Sequence, residues 1–204
     1  IVVIDHHRQG SESIKNAKLS YIESYASSAC EMVAEILQYV EDGVKLKSDE
    51  ADAMYAGIVV DTQNFKNQTG VRTFEAAAFL KRNGADTTRV RKLFRENVND
   101  YIAKAEATHN VTIFEGHYAI SYCPAEGLER PTVVCAQVAN DLLNIIGIKA
   151  SVVFTKVGNT VYISARSIDE VNVQMMMEKI GGGGHRAIAG AQLKDIDIET
   201  AIEK

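Results

Sequence analysis

Proline is nearly absent from this 204-residue sequence, with two residues, and tryptophan is missing altogether. The 14 glycines are ordinary usage, so collagen-like and Pro-rich low-complexity architectures are excluded. No stretch approaches the ~18 consecutive apolar residues that a membrane helix needs. Positive charge is also scarce: 22 Lys and Arg stand against 27 Asp and Glu, a net −5, and no basic run is longer than a pair. A protein that tracks long nucleic acid by releasing counterions shows a basic face, so that class is disfavoured. The cysteines, Cys30, Cys123 and Cys135, are odd in number and lack CxxC spacing, which fits reduced core residues in a cytoplasmic compartment. What is present is 46% hydrophobic and 24% charged residues, enough for a packed core. The length suits one large domain or two small ones. The chain opens on Ile1, inside an apolar run, and is expected to be a fragment.

Two rhythms follow each other along the chain. Ile1-Val2-Val3-Ile4 reads as a buried strand of a parallel sheet, ending abruptly at Asp5-His6-His7-Arg8, and 19–23 reads as the next strand. Ser28 with Glu31 forms a capping box before a helix closed by Gly43. Ser48-Asp49-Glu50 caps a second helix that runs into Ile58-Val59-Val60-Asp61-Thr62. A third helix spans 74–82, and a fourth follows Asp86-Thr87-Thr88. This alternation is an α/β pattern. After about residue 105 the chain changes to hairpins, at 111–114 with 118–123 and at 150–157 with 160–165. Helices are expected at 132–146 and 171–180, then a glycine run and a strand at 187–193. This second part is α+β with mostly antiparallel strands, and the boundary falls near residues 83–105.

Four places carry residues suited to chemistry. Asp5, His6, His7 and Arg8 lie at the carboxyl tip of a parallel strand, the rim where α/β sheets bind ligands. Adjacent histidines on an extended backbone point to opposite sides, so one can hold a metal while the other faces substrate; a plain surface turn is the alternative. Asp61 ends an apolar run, where a carboxylate suits a hard divalent cation or caps a turn. Gly181-Gly182-Gly183-Gly184-His185 is the strongest signal, because at a usual glycine frequency of about 7% four in succession seldom arise by accident. Without Cβ atoms, successive N–H groups can turn inward around an anion. Arg166, in Ser164-Ala165-Arg166-Ser167, offers a permanently charged fork suited to phosphate, or a surface ion pair. Asn172 reads as a helix cap, and Met175-Met176-Met177 as core.

Taken in order, Asp5-His6-His7-Arg8, the stretch from Gly57 through Asp61-Thr62-Gln63-Asn64-Phe65, and the glycine run with His185 resemble the DHH/DHHA1 phosphoesterase superfamily. Ser28-Ala29-Cys30-Glu31, Arg72-Thr73-Phe74-Glu75 and Asn172-Val173-Gln174 resemble its GdpP-type branch of cyclic-di-AMP phosphodiesterases. The resemblance implies the C-terminal part of a DHH domain at 1–82, a helical linker at 83–105 and a DHHA1 substrate-binding domain at 106–204. It implies that two Mn²⁺ ions serve the hydrolysis of cyclic di-AMP to linear pApA. His6 and Asp61 would be metal ligands, His7 would face the scissile phosphate, and Asp5 would orient His6. Arg166, Gly182, Gly183, Gly184 and His185 would bind the nucleotide. The family's first two aspartate motifs have no counterpart here, so the chain would hold part of the metal site and be inactive alone. The branch carries N-terminal membrane helices, so this would be the cytoplasmic part of an anchored parent. It also often dimerises, so a homodimer is one partner the resemblance allows. Other readings are a nanoRNase/pAp phosphatase or RecJ-like exonuclease of the same superfamily, and a non-catalytic nucleotide-binding DHHA1 module.

Overall fold

The computed structural model describes residues 1–7, 14–40, 44–168 and 170–203. Arg8 of the first motif and Gly43, the expected helix terminator, lie outside the described residues. The chain divides into two compact units, 1–95 and 96–204.

Unit 1 opens with two short parallel strands, β1 (Val2–Asp5) and β2 (Leu19–Ile22), in register from Val2 opposite Leu19 to Asp5 opposite Ile22. Four helices follow: α1 (Ala29–Gln38), α2 (Ser48–Asp61), α3 (Val71–Arg82) and α4 (Thr87–Leu93). Only half of the expected capping box forms at α1. Ser28 Oγ accepts from Glu31 N at 3.0 Å, while the buried Glu31 carboxylate accepts from Ser27 Oγ instead. At α2 the cap shifts by one residue: Lys47 is the N-cap, and its N–H donates to the Glu50 carboxylate at 2.8 Å.

The core of this unit is Ala34, Ala51, Ile58, Ala76, Leu80 and Ala85, and such small side chains let the helices approach closely. Closest is Gly57 of α2, where an added Cβ would lie 2.4 Å from Cys30 Sγ on α1. Gly57→Ala gains up to about 1 kcal/mol of helix propensity, but overpacking costs about 1–3 kcal/mol. We expect a lower melting temperature for the single variant and recovery in Cys30→Ala/Gly57→Ala, measured by thermal denaturation.

Ion pairs stitch these elements together. Arg72, at the start of α3, donates to Glu35 of α1 through two bonds of 2.6 Å and also to Glu23 beyond β2. Arg72, together with the Tyr21 hydroxyl at 2.8 Å, holds the Glu23 carboxyl below its usual value. Asp52 of α2 pairs with Arg89 at 2.5 Å and accepts from Asp86 N at 2.7 Å, which fixes α4.

Unit 2 is α5 (Val98–His109), β3 (Thr112–Phe114), β4 (Tyr118–Tyr122), α6 (Pro131–Leu142), β5 (Ala150–Val157), β6 (Thr160–Ser167), α7 (Val173–Glu178), β7 (Gly183–His185), β8 (Ile188–Lys194) and α8 (Ile198–Glu203). Its six-stranded sheet has the order β3-β4-β5-β6-β8-β7. All pairings are antiparallel except β4 with β5. One face carries Ala119, Cys123 and Val153 against α5 and α6. The other carries Val152, Phe154, Ile163 and Ala165 against α7 and α8. Burial pushes the Cys123 and Cys135 thiols up to about 11 and about 12, so they sit as neutral core groups. Helix α6 is shorter than 132–146, because from Leu143 the chain tightens into i→i+3 turns. Met177 is buried whereas Met175 is 60% exposed, so the methionine triple is core at one position only. Asn172 caps α7, its side chain accepting from Met175 N. Among the described residues no helix is long and apolar enough to cross a membrane.

Candidate functional site

In unit 1 the polar groups gather at the carboxyl edge of β1. These groups approach one another, whereas the alternative reading is a plain surface turn. His6 Nε2 comes 3.7 Å from Asp61 Oδ2, and the His6 side chain is only 14% exposed. That separation is too long for a hydrogen bond. Two donors on one cation, at bond lengths of about 2.0–2.2 Å and right to tetrahedral angles, stand roughly 3.0–3.6 Å apart. At 3.7 Å the pair stands just beyond that span, near enough that a small side-chain adjustment would let both reach one divalent ion. Among the described residues no group of three His, Cys, Asp or Glu side chains converges, so these two could supply only part of a ligand set.

Asp5 faces His7 rather than His6. Its Oδ1 accepts the His7 backbone N–H at 3.0 Å and lies 2.7 Å from His7 Nδ1. The reason is local: the backbone turns as it leaves β1, bringing residue 7 over the carboxylate of residue 5. The His7 backbone N–H, then the ring, hold the Asp5 carboxyl below its usual value. A proton on Nδ1 facing Asp5 leaves Nε2 of His7 with its lone pair directed away, ready to accept a proton or a ligand. The two histidine rings lie 4.3 Å apart at 55°.

Asp61 is the last residue of α2, where the helix dipole is negative. A carboxylate there is electrostatically unfavourable alone and favourable next to a cation. Thr62 secures the helix end, its hydroxyl donating to Ile58 O at 2.6 Å and accepting from Phe65 N at 2.9 Å. Gln63, Asn64 and Phe65 then follow with φ of 48°, 61° and 61°. Three successive left-handed residues without glycine are costly and cluster at functional sites. Sequence reading allowed a turn after Asp61 but not its left-handed backbone, which no glycine directly after Thr62 signals.

In unit 2 the glycine run is not a free loop. Gly182 N donates to Met177 O at 2.8 Å, closing α7, and residues 183–185 form the edge strand β7 against β8. Pairing places Arg166 opposite Ile188 and Ile188 opposite His185. Directly opposed residues share a face, so Arg166 and His185 stand in one row, two strand spacings or about 10 Å apart. Arg166 Nη1 donates to Ala165 O at 2.9 Å and Ala189 O at 3.3 Å, while its buried Nε has no partner. Burial draws its guanidinium below the usual value. Among the described residues no acidic side chain forms an ion pair with it, and the guanidinium is largely buried rather than a surface group. An unpartnered buried N–H on a cation is a place for an anion's oxygen.

Comparison with known proteins agrees in both units. The model of the DHH family, N-terminal domain, matches residues 1–58, and that of the DHHA1 domain matches residues 115–204. A Geobacillus thermodenitrificans protein named cyclic-di-AMP phosphodiesterase GdpP is 49% identical over 208 residues, covering 100% of this chain and 31% of its own length. The Bacillus subtilis protein of that name is 44% identical over 206 residues, with the same coverage. The chain thus spans about a third of the length of the curated relatives it matches. Among solved structures, an exopolyphosphatase-related protein from Bacteroides fragilis superposes with a TM-score of 0.84 at 18% identity, covering 99% of this chain and 61% of its own, and so shares the fold.

Proposed function

The chain belongs to the DHH family with a DHHA1 domain, and from that premise we propose that it is part of a divalent-metal-dependent phosphodiesterase that opens cyclic di-AMP to linear pApA. The observation that carries the reading is the approach of His6 and Asp61, far apart in sequence, to 3.7 Å, a small adjustment from the span of two ligands on one cation. These two side chains would hold the ion, with Mn²⁺ as the proposed metal. Such an ion, when bound, lowers the pKa of water and offsets phosphate charge. His7, oriented by Asp5, faces the scissile phosphate with Nε2 free to accept a proton. Arg166 and His185, with the edge backbone of Gly182, Gly183 and Gly184, bind the nucleotide's phosphate. The names and lengths of the relatives support a longer parent, proposed to be membrane-anchored with this part in the cytoplasm.

The test is hydrolysis by the full-length protein, with cyclic di-AMP, pApA and short oligoribonucleotides compared in Mn²⁺ and after EDTA. Turnover of cyclic di-AMP that stops on chelation is expected. Full activity after metal-free dialysis overturns the metal role, and a higher kcat/KM on oligoribonucleotides favours the exonuclease reading.

Arg166 supplies a separable prediction. Losing one charge-assisted contact costs about 1.5–3 kcal/mol, so Arg166→Ala should lower kcat/KM about 10- to 150-fold. Metal content by elemental analysis should be unchanged, because Arg166 belongs to no cation-binding group. A kinetically silent Arg166→Ala would show that the unpartnered Nε meets no substrate.

A further inference from the structure

Unit 1 keeps some of its aromatic side chains out of its core. Tyr25 is 92% exposed and Phe74 57% exposed, and both line a cavity of about 610 Å³ with Phe65 and Lys66. The Phe65 and Phe74 rings stack with centroids 5.7 Å apart and planes 14° from parallel. Tyr55 meets the Phe65 ring edge-on at 6.0 Å, which supports the stack from behind. Phe65 reaches this position through a left-handed backbone, a conformation bulky residues rarely adopt. Among the described residues of unit 1, neither Tyr25 nor Phe74 belongs to the buried core.

The cavity is joined through the backbone to the elements that carry His6 and Asp61. Tyr25 follows the end of β2, on the same carboxyl edge of the parallel strands as Asp5 and His6. The backbone N–H groups of Lys66 and Asn67 both donate to Thr62 O at 2.9 Å, so the cavity wall is tied to the residue next to Asp61. Flat π-faces beside a lysine match a ligand that joins an aromatic ring to an anion. A bare phosphate has no use for the rings, and an apolar peptide has none for the lysine.

We propose that this cavity is a nucleobase subsite: Tyr25 and Phe74 stack on one base of the dinucleotide, and Lys66 meets an adjoining phosphate. The inference rests on the reading above that His6 and Asp61 serve a nucleotide substrate, and it adds the residues that select for a base. Stacking is sequence-tolerant, because every base presents a π-face.

Two measurements on the full-length protein test it. Tyr25→Ala and Phe74→Ala should each raise KM for cyclic di-AMP about 5- to 150-fold, as loss of one base–aromatic stack does, with kcat within about threefold of wild type. Phe74→Trp should restore KM. The second measurement is fluorescence of a non-hydrolysable phosphorothioate cyclic dinucleotide carrying 2-aminopurine, which is quenched on stacking. Quenching by wild type and its loss in both alanine variants is the expected result. Tyr25 is so exposed that its removal leaves the fold intact, so the test holds if Phe74→Ala fails to fold. Unchanged KM in the variants of an enzyme active on cyclic di-AMP overturns the subsite and leaves the activity standing. No turnover by wild type, with quenching that the variants lose, overturns the activity and leaves the subsite standing. Absence of quenching in wild type overturns the subsite.

Discussion

Asp61→Asn in the full-length protein is expected to lower kcat/KM on cyclic di-AMP by about 10³-fold or more, and to reduce bound metal in parallel. The size follows from position. Loss of a group that merely supports a ligand already costs 10- to 100-fold in comparable sites, and Asp61, 3.7 Å from His6 Nε2, is proposed as a ligand itself. Asparagine keeps the shape and one oxygen but loses the charge that a hard cation prefers. Stability without metal should move the other way. Asp61 closes α2 at the negative end of its dipole, so removing the charge should stabilise the metal-free protein by about 0.3–1 kcal/mol. Lower activity with equal or higher melting temperature marks a residue kept for its ligand rather than for the fold. His6→Ala should match the loss of activity. If Asp61→Asn kept kcat/KM within tenfold, with full metal occupancy, the His6–Asp61 pair would not be the cation site.

The parts of this site that could be read in the sequence are those written in contiguous residues. Asp5, His6 and His7 end a β-branched run, and Asp61 ends an apolar stretch, so their placement at element termini followed from local pattern. What depended on how the chain folds back could not be read. The Asp5–His7 contact arises because the backbone turns on leaving β1, which residue types alone do not specify. The row linking Arg166 to His185 exists only through the register of β6, β8 and β7, and register is a tertiary property. The helix α5 straddles the end of the stretch read as helical linker, 83–105; Asn97 caps it, and Ala103 and Ala107 pack it onto the core of unit 2. The sequence did not mark Tyr25 or Phe74 as exposed aromatics, because exposure is not written in residue type. The fold was the easier part, since turn pairs such as Gly158-Asn159 between alternating strands mark hairpins directly.

The glycine run separates two reasons for glycine, and substitution should tell them apart. Gly184 has φ of +145°, and an added Cβ would meet Ala189 Cα and Ile188 O, each at 2.5 Å. Those are backbone atoms of the partner strand β8, which cannot rotate aside. The strain of such a φ is about 1–3 kcal/mol, and overpacking adds about 1–3 kcal/mol. β7 is a three-residue edge strand, with little pairing to set against that sum. Gly184→Ala should therefore release β7 from β8 and displace His185, abolishing detectable cyclic di-AMP turnover. The inner strands β5 and β6 should stay protected in hydrogen exchange, because local opening at an edge need not reach the core. Gly183 is the contrasting case: its φ is not in the left-handed range and an added Cβ would meet nothing within 4 Å. Gly183→Ala should leave stability within about 0.5 kcal/mol of wild type. Any rise in its KM then measures how closely substrate approaches that backbone, free of any effect on folding. Equal destabilisation by both substitutions would place the glycine requirement in the fold alone and leave the phosphate cradle without support.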